Sequence, residues 1–194
     1  MGIIAFNVLF KQNKIYNLTM TLEELIISLV RIFASLVVFK FNFFGAILVI
    51  LIDFSDLFMM NLITLGGVRN YQFLDKFLDL FYIGYFLIIT LKWEKLLRNI
   101  SILLFIFRIL GFVLFEFFQN RLILFIFPNV FEFWFLGITL LFLLKSNITN
   151  RKIIIVLVVT TLLKMTQEYI LHVWKVLDNY RAIDVLNSFL DWFR

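Results

Sequence analysis

Six stretches of this chain each run for about the length of a membrane-crossing helix with few charges, and that pattern leaves few folds open. A helix needs roughly 20 mostly apolar residues to cross the hydrocarbon core of a bilayer. The stretches lie at about Leu22–Phe39, Phe41–Thr64, Tyr71–Leu91, Ile100–Phe118, Leu122–Leu144 and Ile153–Val173. In lipid every backbone N–H and C=O must be paired within the segment, which selects the α-helix. Composition agrees: the chain is 63% hydrophobic and 16% charged, whereas soluble domains carry about 25% charged residues. Too little polar surface is available to cover such a chain in water. The expected fold class is all-α, a polytopic membrane bundle of about six transmembrane helices forming a single domain over residues 1–194.

The connections carry the charge. Lys92–Arg98, Gln119–Arg121 and Lys145–Lys152 read as short loops. Thr21 with Glu24 three residues on has the pattern of a capping box, opening the first span. Pro128 should kink the fifth. Residues 2–15 read as a short interfacial helix with Lys11 and Lys14 at the head groups, not as a cleaved signal, since a basic n-region and a small-residue cleavage site are both missing. In the tail, Ile183, Leu186, Phe189, Leu190 and Phe193 recur at helical spacing, the pattern of an amphipathic helix on the membrane surface or against the bundle.

Several chemistries are excluded outright. There is no cysteine, which removes disulfides, thiolate metal sites and cysteine nucleophiles. His172 is the only histidine, so a histidine metal triad is impossible. The net charge of +5 is spread among loops, and in such a chain it points to anionic lipid, not to nucleic acid. Orientation does not follow from charge. With six spans, Lys11, Lys14, Arg69, Arg121, Lys175, Arg181 and Arg194 fall on one side, while Lys40, Lys92, Lys95, Arg98, Lys145, Arg151 and Lys152 fall on the other.

The informative residues are the charges inside the spans. Asp53 and Asp56 stand in the second, spaced i, i+3; Asp75 and Asp79 stand in the third, spaced i, i+4. Each pair therefore occupies one helix face. Phe41–Ile52 alone is too short to span, so the second helix must continue past Asp53. The two spans are antiparallel neighbours joined by the loop around Gly66 and Gly67, which lets all four carboxylates converge near one membrane face. A mid-helix Asp costs roughly 2.5–3.5 kcal/mol to insert. Four together need a cation, protons or water. Hard divalent ions such as Mg²⁺ or Mn²⁺ favour such oxygen ligands. Arg31 in the first span, Arg108 in the fourth and Lys164 in the sixth are the other compensating charges. For Arg31 and Arg108 the partner is either a substrate phosphate or one of the aspartates. Gly111, just after Arg108, permits close helix approach. Lys164, Glu168 and His172 form an i, i+4, i+8 stripe, read either as acceptor binding or as a plain helical salt bridge.

The positions 53, 56, 75 and 79 resemble the motif of the CDP-alcohol phosphotransferase family, D-x2-D-G-x2-A-R-x8–9-G-x3-D-x3-D. All four acidic positions match at the longer spacer, and the architecture of six spans with the motif bridging the second and third is similar. The family's Gly, Ala, Arg and Gly positions hold Leu57, Met60, Asn61 and Tyr71 here. Gly66, Gly67 and Arg69 in the intervening loop could supply flexible backbone and a cation in their place. The resemblance implies a metal-dependent transfer, with Asp53, Asp56 and Asp75 as ligands of Mg²⁺ or Mn²⁺ and Asp79 as general base. It implies a CDP-linked lipid donor and a small alcohol or phospho-alcohol acceptor in phospholipid synthesis. The expected location is a membrane, here a prokaryotic cytoplasmic membrane, with membrane lipid as partner and a homodimer as a candidate assembly. The alternative is a non-catalytic membrane protein whose Asp cluster binds or conducts a cation.

Overall fold

The structure, a computed structural model, describes residues 21–62, 71–170 and 191, with side chains for all of these but 54–62, 71–73 and 121. Among the described residues the fold is all-helical. In chain order the helices are α1 Leu22–Ser35, α2 Asn42–Leu62, α3 Tyr71–Thr90, α4 Lys95–Phe118, α5 Arg121–Ile126, α6 Val130–Leu143 and α7 Asn150–Glu168, with a 3₁₀ turn Leu36–Phe39 after α1. Two helical stretches, Lys95–Phe118 and Leu122–Leu143, are long and apolar enough to cross a membrane. The expectations for residues 2–15, for the loop with Gly66, Gly67 and Arg69, for His172 and for the tail after it lie outside the described residues.

Local chemistry sets the boundaries. Thr21 Oγ1 accepts from Glu24 N–H at 3.1 Å while Glu24 Oε2 accepts from Thr21 N–H at 3.0 Å, completing the capping box that starts α1. Helices α1 and α2 can follow each other almost without a loop because the 3₁₀ turn folds straight onto α2. Gly45 makes that possible, since a Cβ there would lie 2.7 Å from Val38 N. Pro128 does more than kink. Residues 127–129 leave the helix entirely, separating α5 from α6, because proline cannot donate to the ladder and obstructs the preceding turn. Helix α4 begins at Lys95, five residues before the apolar window expected at Ile100, since the helix extends through charged residues beyond its apolar part.

The core lies where α3 and α6 cross among α2, α4 and α7. Phe86 stacks on Phe135 with ring centroids 4.1 Å apart, and Trp93 also stacks on Phe135, at 5.5 Å. Trp134 Nε1 donates to Ser101 Oγ at 2.9 Å, tying α6 to α4. Gly111 brings α4 against the break, because a Cβ there would overlap Phe127 Cβ and lie 3.1 Å from its Cγ. Gly137 does the same for α6 and α7, where an added Cβ would meet Val156 Cγ1 at 2.7 Å.

Burial is inverted relative to a protein that faces water. Along α7, Ile154, Ile155, Val158, Val159, Leu162 and Leu163 are exposed, while Thr160, Lys164 and Glu168 are buried. Along α4, Leu103 and Phe117 point outward at 67% and 79% exposure, and Arg108 points inward at 2%. The inward face of α1 carries Glu24, Ser28, Arg31 and Ser35, at helical spacing.

Candidate functional site

The polar faces of four helices meet in one buried centre. Asp53 comes from the middle of α2, and Asp75 and Asp79 from successive turns of α3. One ligand atom from each of the three lies within 4.8 Å of the others. Asp56 sits one turn beyond Asp53 on α2, with its side chain outside the described ones.

Arg31 of α1 reaches between the three carboxylates. Its Nη1 donates to Asp75 Oδ1 at 3.0 Å, and its Nη2 donates to Asp79 Oδ1 at 2.9 Å and also to Asp53 Oδ1. Asp79 is held on its other oxygen by Arg108 of α4, whose Nη2 lies 3.0 Å from Oδ2. Lys76 adds a third cation, with Nζ 2.7 Å from Asp75 Oδ2 and 3.8 Å from Asp79 Oδ2. Among the described side chains, Asp53, Asp75 and Asp79 thus face three cations, which offsets the cost of placing these three carboxylates inside an apolar bundle. Both arginines that the sequence assigned either to a phosphate or to an aspartate are, in this structure, bound to aspartate.

A second polar centre adjoins the first across α3 and α4. Lys164 of α7 donates to Glu132 Oε2 of α6 at 3.0 Å and to Gln167 Oε1 at 3.0 Å, with Glu168 Oε1 at 3.6 Å. Tyr82 donates to the same Glu132 oxygen at 3.3 Å. Asn129 Nδ2 donates to Tyr82 Oη at 3.0 Å and to Glu132 Oε2 at 3.3 Å. The two centres share elements. Tyr82 stands one turn after Asp79 on α3, and Arg108 Nη1 donates to the carbonyl of Phe127, in the break that carries Asn129, at 3.4 Å. Arg108 Nε and Asn129 Oδ1 are buried and make no hydrogen bond.

Of the expected site residues, Asp53, Asp75, Asp79, Arg31 and Arg108 come together. Lys164 belongs to the second centre, and its i, i+4 bridge to Glu168 is present. Arg69 lies outside the described residues. Lys76, Tyr82, Asn129 and Glu132 were missed by sequence reasoning. Glu132 carried a signal of the same kind as the aspartates, a carboxylate inside the apolar run Val130–Phe135. Lys76 was legible as the residue flanked by Asp75 and Asp79. Tyr82 and Asn129 carried no such mark.

The oxygen donors suit a hard divalent ion, and their spread is compatible with ligands closing to about 2.0–2.6 Å around one. The guanidinium of Arg31 occupies the space between them. No family model, curated protein or solved structure matches the chain.

Proposed function

We infer that the chain is a multi-pass protein of a prokaryotic cytoplasmic membrane, a divergent relative of the CDP-alcohol phosphotransferases that moves a phospho-alcohol group in phospholipid synthesis. The membrane part of this reading is supported by the inverted burial: an apolar exterior around an ion-paired interior is stable in lipid and not in water. The observation that carries the chemical part is the meeting of Asp53, Asp75 and Asp79, from two helices, within 4.8 Å. Sequence spacing alone placed each pair on a face, and convergence of the two faces is what a shared site requires.

In this reading Asp53, Asp56 and Asp75 hold Mg²⁺ or Mn²⁺. A divalent ion there supplies positive charge to a donor diphosphate. Asp79 takes the proton of the acceptor hydroxyl as that oxygen attacks the phosphorus next to the transferred alcohol. The bond from this phosphorus to the bridging oxygen breaks, and CMP leaves with the electron pair. Arg108 has an unpaired buried Nε–H, so it can donate to a phosphate oxygen while still orienting Asp79. Arg31 holds Asp79 Oδ1 and Arg108 holds Oδ2, so an oxygen faces the acceptor's proton only once Arg31 has let go of Oδ1.

A second reading is favoured by the ion pairing of the centre. Three side-chain cations already balance three carboxylates, as they would in a non-catalytic protein whose cluster is a structural ion-pair network. Thermal stability in detergent separates the two. Under the transferase reading Mn²⁺ raises the melting temperature, a CDP-linked lipid raises it further only with metal, and Asp53→Asn removes both effects. A structural cluster gives no response to either ligand, and Asp53→Asn only lowers the melting temperature.

A further inference from the structure

A tethered cation already fills the three-carboxylate centre. Arg31 is 3% exposed and donates to Asp53, Asp75 and Asp79 at once. A guanidinium is planar and offers its donors in a fixed fork, so it can bridge carboxylates that a point charge cannot. Among the described side chains Arg31, Arg108 and Lys76 already sit against Asp53, Asp75 and Asp79. A divalent ion held there stands beside all three of these cations in a low-dielectric interior, where like charges repel strongly. If Arg31 withdraws as the ion enters, the nearest of those repulsions is removed. The two cations also compete for the same oxygens, since Asp53 and Asp75 each offer Arg31 an Oδ1 that a metal would need.

We propose that Arg31 is a displaceable internal counter-ion: it closes the centre in the resting protein and must leave the carboxylates before a divalent cation can bind. The inference rests on the metal-site reading above and adds its regulation. Release of Arg31 frees Asp79 Oδ1 and presents a guanidinium beside the bound ion, where an anionic phosphate group is to be received. Arg108 does not move in this exchange, because it holds Asp79 Oδ2 and is anchored on the carbonyl of Phe127. The centre is thus protected from adventitious cations by a charge that only a strongly binding divalent ion displaces.

The test is Mn²⁺ binding to the detergent-purified full chain, read from the electron paramagnetic resonance signal of free Mn²⁺. Arg31→Gln should bind Mn²⁺ roughly tenfold or more tightly than the wild type, because the competing charge is gone. Arg31→Lys should fall between them, since an ammonium keeps the charge but not the planar fork that spans the three carboxylates. A wild-type measurement stands beside these in case Arg31→Gln does not fold. Modification of Arg31 by a glyoxal reagent, quantified by peptide mass, should rise several-fold when Mn²⁺ is added. Wild-type binding with no gain in the variants, or Arg31 modification unchanged or slowed by Mn²⁺, overturns the counter-ion role and leaves the metal site standing. Absence of Mn²⁺ binding in wild type and variants alike overturns the metal-site reading and this inference with it.

Discussion

Arg108 on α4 and Asp79 on α3 pair at 3.0 Å with both side chains buried, and the pair locks two helices whose outer faces are apolar. Desolvating either charge alone is far more costly than desolvating the pair. Arg108→Met should therefore cost about 3–5 kcal/mol, and Asp79→Asn a comparable amount in part because Arg31 and Lys76 lose an acceptor too. The double variant should be less destabilised than the sum of the singles, by at least about 1 kcal/mol. Reversible unfolding in mixed detergent micelles measures all three.

Lys164 and Glu132 should show the same asymmetry in the second centre. Lys164→Met leaves a buried carboxylate facing Tyr82 and Asn129 without its cation and should lower the melting temperature sharply. Glu132→Gln in that background removes the stranded charge and should recover a large part of the loss. No recovery would mean that the ion pair is not what holds α6 to α7 there.

Close helix approach at Gly111 gives a steric prediction. An added Cβ overlaps Phe127, so Gly111→Val should destabilise by about 1–3 kcal/mol. Gly84→Ala is the control. Nothing lies within 4 Å of a Cβ at that position, and the exchange should be neutral or stabilise by up to about 1 kcal/mol. Phe127→Gly, which removes the overlapping Cβ, should relieve part of the Gly111→Val defect.

Topology can be read directly because the natural chain contains no cysteine. In the six-span arrangement, single cysteines at Lys40, Lys92 and Lys145 should all react with an impermeant maleimide from one side of a sealed vesicle. A cysteine at Gln119 should react only from the other side. Labelling of Lys92 and Gln119 from the same side would contradict a fourth span at Lys95–Phe118.

The fold was legible wherever length and apolarity alone decide. The helix starts at Leu22 and Tyr71 and the helix end at Phe118 fall where the windows put them. Pro128 marked the right place but not the size of the effect, since whether a proline kinks or breaks a helix depends on what receives the freed backbone groups. Here Arg108 takes the carbonyl of Phe127, a contact between residues 19 positions apart that no local pattern encodes. In the site, i, i+3 and i, i+4 spacing placed the aspartates on common faces. It could not choose between a metal and a guanidinium as their partner, because Arg31 lies 22 and 44 residues away from Asp53 and Asp75. Glu132 was readable by the rule that singled out the aspartates, whereas Tyr82 and Asn129 become polar-centre residues only through tertiary packing.

The most direct test of the proposed chemistry is transfer itself. The purified chain, reconstituted in lipid with Mn²⁺ and a CDP-linked lipid, would be supplied with small alcohol or phospho-alcohol acceptors and CMP release measured. The expected result is acceptor-dependent CMP formation that disappears in Asp79→Asn while Mn²⁺ binding persists. CMP at the level of a protein-free blank with every acceptor, from a protein that is folded and binds Mn²⁺, would contradict the transferase reading and leave the Asp centre as a cation-binding element of the bundle.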